Sequence, residues 1–209
     1  MMLFTFLALF FLLAGICIQI KNKTLIPVIF TGVMAAILVC VFRTFFLFSH
    51  RVIPYSFSEN FIFLLMRQIL IPLVLLYGIF FLISRDSIEL KVEMFLPLTV
   101  SFYMIYLPFC IISSAEGLYS VFALFMKPCM FAAMLYFLSF FAKSILASLN
   151  SKKIIFVVLY SIAALVFLML PAMVEAMYLV NTNSVLTFFC VICYCLLALF
   201  LVFLRIIKE

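Results

Sequence analysis

Residues 117–147 read GLYSVFALFMKPCMFAAMLYFLSFFAKSILA. This is an apolar run of 31 residues with a lysine and a proline, Lys127-Pro128, set inside it. As one helix it would extend ~46 Å, well beyond the ~30 Å hydrocarbon core of a bilayer. A proline suits the first turn of a helix. The run is therefore expected to divide into a short interfacial or re-entrant helix over about 117–126 and a spanning helix starting near Pro128. Lys127 then lies within the membrane, where a charge is costly and marks a candidate site.

The same kind of run recurs along the whole chain. Of 209 residues, 71% are hydrophobic and only 10% charged. An ordinary soluble domain is about a quarter charged. The expected architecture is an all-α, polytopic membrane protein, a single helical domain over 1–209. Its apolar runs cover about 2–20, 27–48, 61–83, 94–112, the run above, 154–180 and 185–204. That makes seven spans, with six as the alternative if the first run lies in the interface. Pro72 is expected to break the third run by removing the donor to the Gln68 carbonyl. Pro108 and Pro171 sit inside the fourth and sixth.

Orientation follows from the basic residues. With the N-terminus outside and the C-terminus inside, Lys21, Lys23, Arg85, Lys91, Lys143, Lys152, Lys153, Arg205 and Lys208 fall on the inner side. The outer loops hold only Arg51. The net charge of +6 is thus read as a cytoplasmic excess rather than a nucleic-acid surface. The expected location is a bacterial-type cytoplasmic membrane.

Five ionisable residues remain at membrane depth: Arg43, Arg67, Lys127, Glu116 and Glu175. On the expected topology all five lie in the outer leaflet, within ~10 Å of its surface. Three cations against two anions leave the cluster net positive, which suits a carboxylate or phosphate. His50, Arg51 and Tyr55 could form its mouth. The competing reading is structural, because long basic side chains near helix ends reach the headgroups and buried ion pairs hold helices together.

Other motifs carry less. Cys190-x-x-Cys193-x-Cys195 lies in an apolar helix with no histidine nearby and reads as packing, so no metal site is expected. Gly32-x-x-x-Ala36 is a small-xxx-small pattern suited to close helix approach. The mixed-sign segment SRDSIELKVE over 84–93 reads as a solvated loop. Tryptophan is absent, so an interfacial aromatic belt would use tyrosine.

The residue inventory excludes several chemistries. A single histidine rules out HExxH zinc hydrolysis and two-histidine haem ligation. A single aspartate rules out a paired-aspartate intramembrane protease. Neither GxSxG nor GxxxxGK[ST] occurs. No enzyme and no cofactor are therefore expected. In size and general layout the chain is similar to substrate-binding subunits of energy-coupling-factor transporters, although its helix number and glycine scarcity differ from theirs. The expected function is a transport-related or substrate-binding subunit with a charged site in the outer half of the bundle. Its partners would be the bilayer, an anionic small molecule or lipid, and other membrane subunits. The alternative is a non-catalytic accessory, scaffold or assembly subunit.

Overall fold

A computed structural model describes residues 9–15, 25–46, 56–83, 88–112, 120–180 and 184–208. These residues form helices and short turns, with no strand among them. Helix α1 covers 9–15, and α2 is Leu25–Phe46. Helix α3 runs through Phe57–Leu64, a π-helical stretch Leu65–Leu70, and Ile71–Ile83. A short α4, Ile88–Glu93, precedes α5, Phe95–Ile112. Helix α6 joins a π-helical stretch Phe122–Met126 to Lys127–Asn150. Helices α7 and α8 are Ile154–Leu179 and Ser184–Lys208.

Six of these helices are long and apolar enough to cross a bilayer: α2, α3, α5, α6, α7 and α8. The protein is thus an all-α polytopic membrane bundle. Most of the first expected span lies outside the described residues.

Helix α5 is the axis. Twelve of its eighteen residues are buried, including Phe102, Tyr103 and Tyr106. Helix α2 packs along it through a stripe of Gly32, Ala35, Ala36, Val39 and Arg43, the spacing of one helical face. A Cβ on Gly32 would stand 2.1 Å from Ser101 Oγ and 2.6 Å from the Leu98 carbonyl oxygen. Only glycine lets the two backbones approach this closely, so the Gly32/Ala36 pattern makes a specific helix contact. Helices α6 and α7 form the other intimate pair, and the first part of α3 packs on α7. Helix α8 rests on α6 and α7 through Thr187, Val191, Tyr194 and Ala198, again one face. Its opposite face exposes Phe189, Ile192, Leu196 and Phe200. The first half of α7 is similarly bare, with Ile154, Ile155, Val158 and Leu159 more than half exposed. Bare apolar faces of this kind suit contact with lipid or with another membrane helix.

Several boundaries differ from expectation. Helix α3 begins at Phe57, four residues earlier than 61. Ser56 caps it, accepting from the Glu59 N–H at 3.3 Å, and Ser56-x-x-Glu59 is the capping-box spacing. Residues 88–93 of the mixed-sign segment are helical rather than loop. The long run opening at 117 does not divide at Pro128. From residue 121 it is a continuous helix, because the π-helical stretch lets the Lys127 N–H reach back to the Phe122 carbonyl just ahead of the proline. The α6–α7 turn closes with the Lys153 N–H on the Ser148 carbonyl at 2.9 Å and Lys152 at φ 56°. This is a Schellman-type end with lysine where glycine is usual.

Candidate functional site

Every proline inside a helix removes one backbone donor and strands a carbonyl four residues earlier. In the membrane that carbonyl needs another partner. Pro72 strands the Gln68 carbonyl, and the Tyr103 hydroxyl donates to it at 3.1 Å. The π-helical stretch just before Pro72 sends the Ile71 N–H to Met66, five residues back. This takes the usual donor away from the Arg67 carbonyl, and the Tyr106 hydroxyl donates there at 2.9 Å. Pro171 strands the Phe167 carbonyl, and the Tyr194 hydroxyl donates to it at 2.9 Å. Tyr103, Tyr106 and Tyr194 are all buried. These tyrosines act inside the bundle as caps on broken helices.

The local distortions place polar side chains at one end of the bundle. Lys127 directly follows the π-helical stretch of α6 and is 1% exposed. Its ammonium lies 2.5 Å from Glu175 Oε1, and Glu175 is also 1% exposed. Glu175 stands one turn beyond Pro171 on α7. Gln68, within the π-helical stretch of α3, donates its amide to the same carboxylate oxygen at 3.1 Å. Three helices therefore meet on one carboxylate. One charge cancels the other, and the pair is sealed from the surroundings. Nearby, Ser120 Oγ and Tyr178 Oη share a hydrogen bond of 2.9 Å, and the rings of Phe122 and Tyr178 stack at 4.2 Å. These contacts clamp the start of α6 to the end of α7.

The second polar group lies where α2, α3 and α5 meet. Arg43, near the end of α2, is buried and donates through Nη1 to Tyr106 Oη at 3.0 Å and to Cys110 Sγ at 2.7 Å. Its guanidinium also lies over the Tyr106 and Phe109 rings, 5.6 Å from each centroid. Tyr106 passes the connection on, since its own proton goes to the Arg67 carbonyl. The Arg67 side chain is half-buried, leans over the Phe63 ring at 5.1 Å, and keeps a buried Nε with no hydrogen-bond partner among the described residues. The like charges of Arg43 and Arg67 are close enough to interact. Both arginines bring a cation to this seam, whereas Lys127 and Glu175 form an ion pair.

The five charges expected in one cluster thus divide. Lys127 and Glu175 come together, and Tyr106 links the Arg43 guanidinium to the Arg67 main-chain carbonyl. Glu116 lies outside the described residues, as do His50, Arg51 and Tyr55. Cys190, Cys193 and Cys195 are free thiols, and no group of three metal-ligating side chains forms among the described residues.

Sequence reasoning missed Gln68 as a side chain and the capping tyrosines. A signal was present: a polar residue four before a proline in an apolar helix, and a Tyr103/Tyr106 pair one turn apart. No family model matches the chain, no curated protein matches it, and no solved structure matches it.

Proposed function

We propose that this protein binds an anionic ligand at the Arg43–Arg67 seam, as a transport-related or substrate-binding membrane subunit. The observation that carries this reading is that Tyr106 joins two arginine residues at membrane depth, its hydroxyl accepting from the Arg43 guanidinium and donating to the Arg67 main-chain carbonyl. Like charges there repel in a poorly screened medium, and an anion between them would relieve the repulsion. Guanidinium groups match carboxylate and phosphate oxygens in planar, two-point geometry. The unpartnered Nε of Arg67 supplies a donor for it. With the N-terminus outside, the seam lies toward the outer leaflet.

The Lys127–Glu175–Gln68 group supports a different role within the same protein. It is neutral and sealed, so it holds α3, α6 and α7 together and leaves ligand chemistry to the arginines. This group is also what favours the second reading, a non-catalytic accessory subunit whose intramembrane charges serve only packing.

Thermal stability of the purified protein, titrated with carboxylate and phosphate compounds, tests the proposal. A ligand that binds the folded state raises the melting temperature as its concentration exceeds its dissociation constant. The expected result is a rise for wild type that disappears in Arg67→Gln while basal stability is kept. No rise with any anion, soluble or lipid, would leave the accessory reading.

A further inference from the structure

The turn between α6 and α7 lies at the end of the bundle away from the Lys127–Glu175 pair. Glu175 stands ~32 Å along α7 from Ile154, about the thickness of the hydrocarbon core, so the turn sits at the opposite membrane surface. Lys152 and Lys153 stand at its tip, and both are exposed. No aspartate or glutamate occurs between Glu116 and Glu175 in the sequence. Neither lysine joins an ion pair among the described residues. Directly beyond them, α7 begins without cover. Ile154 is 75% and Ile155 82% exposed, and Phe156 is exposed as well. Successive helical residues point ~100° apart, so these three leave the first turn bare on most sides. The side of the lysine is among them, because the Lys153 ammonium lies 6.0 Å from the Phe156 ring centroid. Phe156 in turn meets the Tyr160 ring at 6.3 Å. Charge and bare apolar surface are thus in contact on one side of one helix. A turn standing in water needs no such apolar collar, and a turn seated among headgroups does.

We infer that this turn is a docking surface for an anionic phospholipid. The lipid phosphate meets the ammonium groups of Lys152 and Lys153, and the acyl chains lie along Ile155 and Phe156. The inference stands apart from the arginine seam and does not depend on it. Two features select this occupant. Exposed cations with no acidic partner attract anionic lipid, by about fivefold for each lysine close to the membrane surface. The apolar residues lie immediately beside those cations. A soluble anion would meet the ammonium groups and leave Ile154, Ile155 and Phe156 bare. An apolar helix would cover those residues and leave the lysines without a counter-charge. A phospholipid satisfies both. With the N-terminus outside, the turn faces the inner leaflet, the one with the negative surface potential.

The test exploits the absence of tryptophan from the chain. Ile155→Trp places a single fluorophore beside the lysines. The purified full-length variant is reconstituted in phosphatidylcholine bilayers containing brominated acyl chains on either phosphatidylglycerol or phosphatidylcholine. Bromine quenches tryptophan only at short range, so the two quenching curves give the preference for anionic lipid at this position. Brominated phosphatidylglycerol is expected to quench at mole fractions about fivefold or more lower than brominated phosphatidylcholine. Adding Lys152→Asn and Lys153→Gln should bring that ratio close to one. Asparagine tolerates the positive φ of residue 152, and an unchanged melting temperature shows that the fold is kept. Lys152→Arg with Lys153→Arg should retain the preference. A second reporter, Val185→Trp, sits at an exposed position at the other end of the bundle and should not respond to the lysine changes. Equal quenching by the two lipids with both lysines present would overturn the inference. So would a preference that survives their removal, or one lost equally at Val185→Trp. Failure of both lipids to quench at residue 155 would show that another protein segment covers the turn, and would overturn it too.

Discussion

The α2–α5 and α6–α7 pairs are the two most extensively packed pairs in the bundle, and they are joined by opposite means. Between α2 and α5 the contact is made by absence: Gly32 has no side chain, and Ser101 and the Leu98 carbonyl fill the space. Between α6 and α7 it is made by presence: a buried lysine, a glutamate and a stacked Phe122–Tyr178 pair. Both pairs carry cations at the same end of the bundle. On the α6–α7 side the cation is neutralised by a carboxylate from the facing helix. On the α2–α5 side Arg43 donates to Tyr106 and Cys110. The lesson is that depth in the membrane does not by itself distinguish a structural charge from a binding one.

The largest effect that bears on this contrast is expected from Lys127→Ala. It leaves Glu175 buried without its counter-ion and should cost about 3–5 kcal/mol, read as a loss of folded protein or a large fall in melting temperature. Replacing both partners, Lys127→Met with Glu175→Leu, should recover most of that loss, because a well-packed apolar pair removes the charge as well as the partner. If Lys127→Ala proved as mild as a change at the half-buried Arg67, the structural role assigned to the pair would fail.

Next in size is Gly32→Leu. The new side chain meets the Leu98 backbone, which cannot swing aside, so the α2–α5 interface must open at a cost of about 2–3 kcal/mol. Thermal unfolding of the variant checks this. A neutral outcome would mean that the two helices are less tightly apposed than the contrast requires.

A smaller loss, about 1–2 kcal/mol, is expected for Tyr194→Phe, which strands the Phe167 carbonyl. The decisive measurement is a double-mutant cycle with Pro171→Ala. An alanine at 171 restores the helical donor, so in that background Tyr194→Phe should cost under about 0.5 kcal/mol. Equal costs in both backgrounds would show that Tyr194 matters only for its packing against Phe137 and Phe167.

The smallest effect on stability belongs to Arg67→Gln. Removing one of two like charges at a half-buried position should change stability by less than about 0.5–1 kcal/mol. Its effect on anion binding should be complete by comparison. Strong destabilisation here would make the arginine seam structural and erase the distinction from Lys127–Glu175.

Much of this was legible without coordinates. The helical runs at 154–180 and 94–112 fall within one residue of α7 and α5, because long apolar stretches bounded by polar turns leave the chain little choice in a bilayer. The start of α3 was placed at 61 rather than Phe57 because the capping role of Ser56 depends on local hydrogen bonding that hydropathy does not register. Continuity of α6 through Pro128 was missed because a proline reads as a break unless a π-helical stretch absorbs it. The role of the tyrosines was hidden for a related reason. A stranded carbonyl is visible from the proline's position, but the donor that reaches it comes from another helix.

By itself, then, the order of residues determined the all-helical membrane class, most span boundaries, the bare lipid-facing runs and the identity of the charges left at membrane depth. Each of these follows from transfer of side chains and backbone out of water, which is a property of local composition. Tertiary structure alone decided that Glu175 meets Lys127 and Gln68, that Tyr106 stands between Arg43 and Arg67, and that Gly32 faces Ser101. Those pairings depend on which helix faces are turned toward one another. Packing geometry sets that, and many arrangements of the same apolar helices satisfy hydropathy equally well.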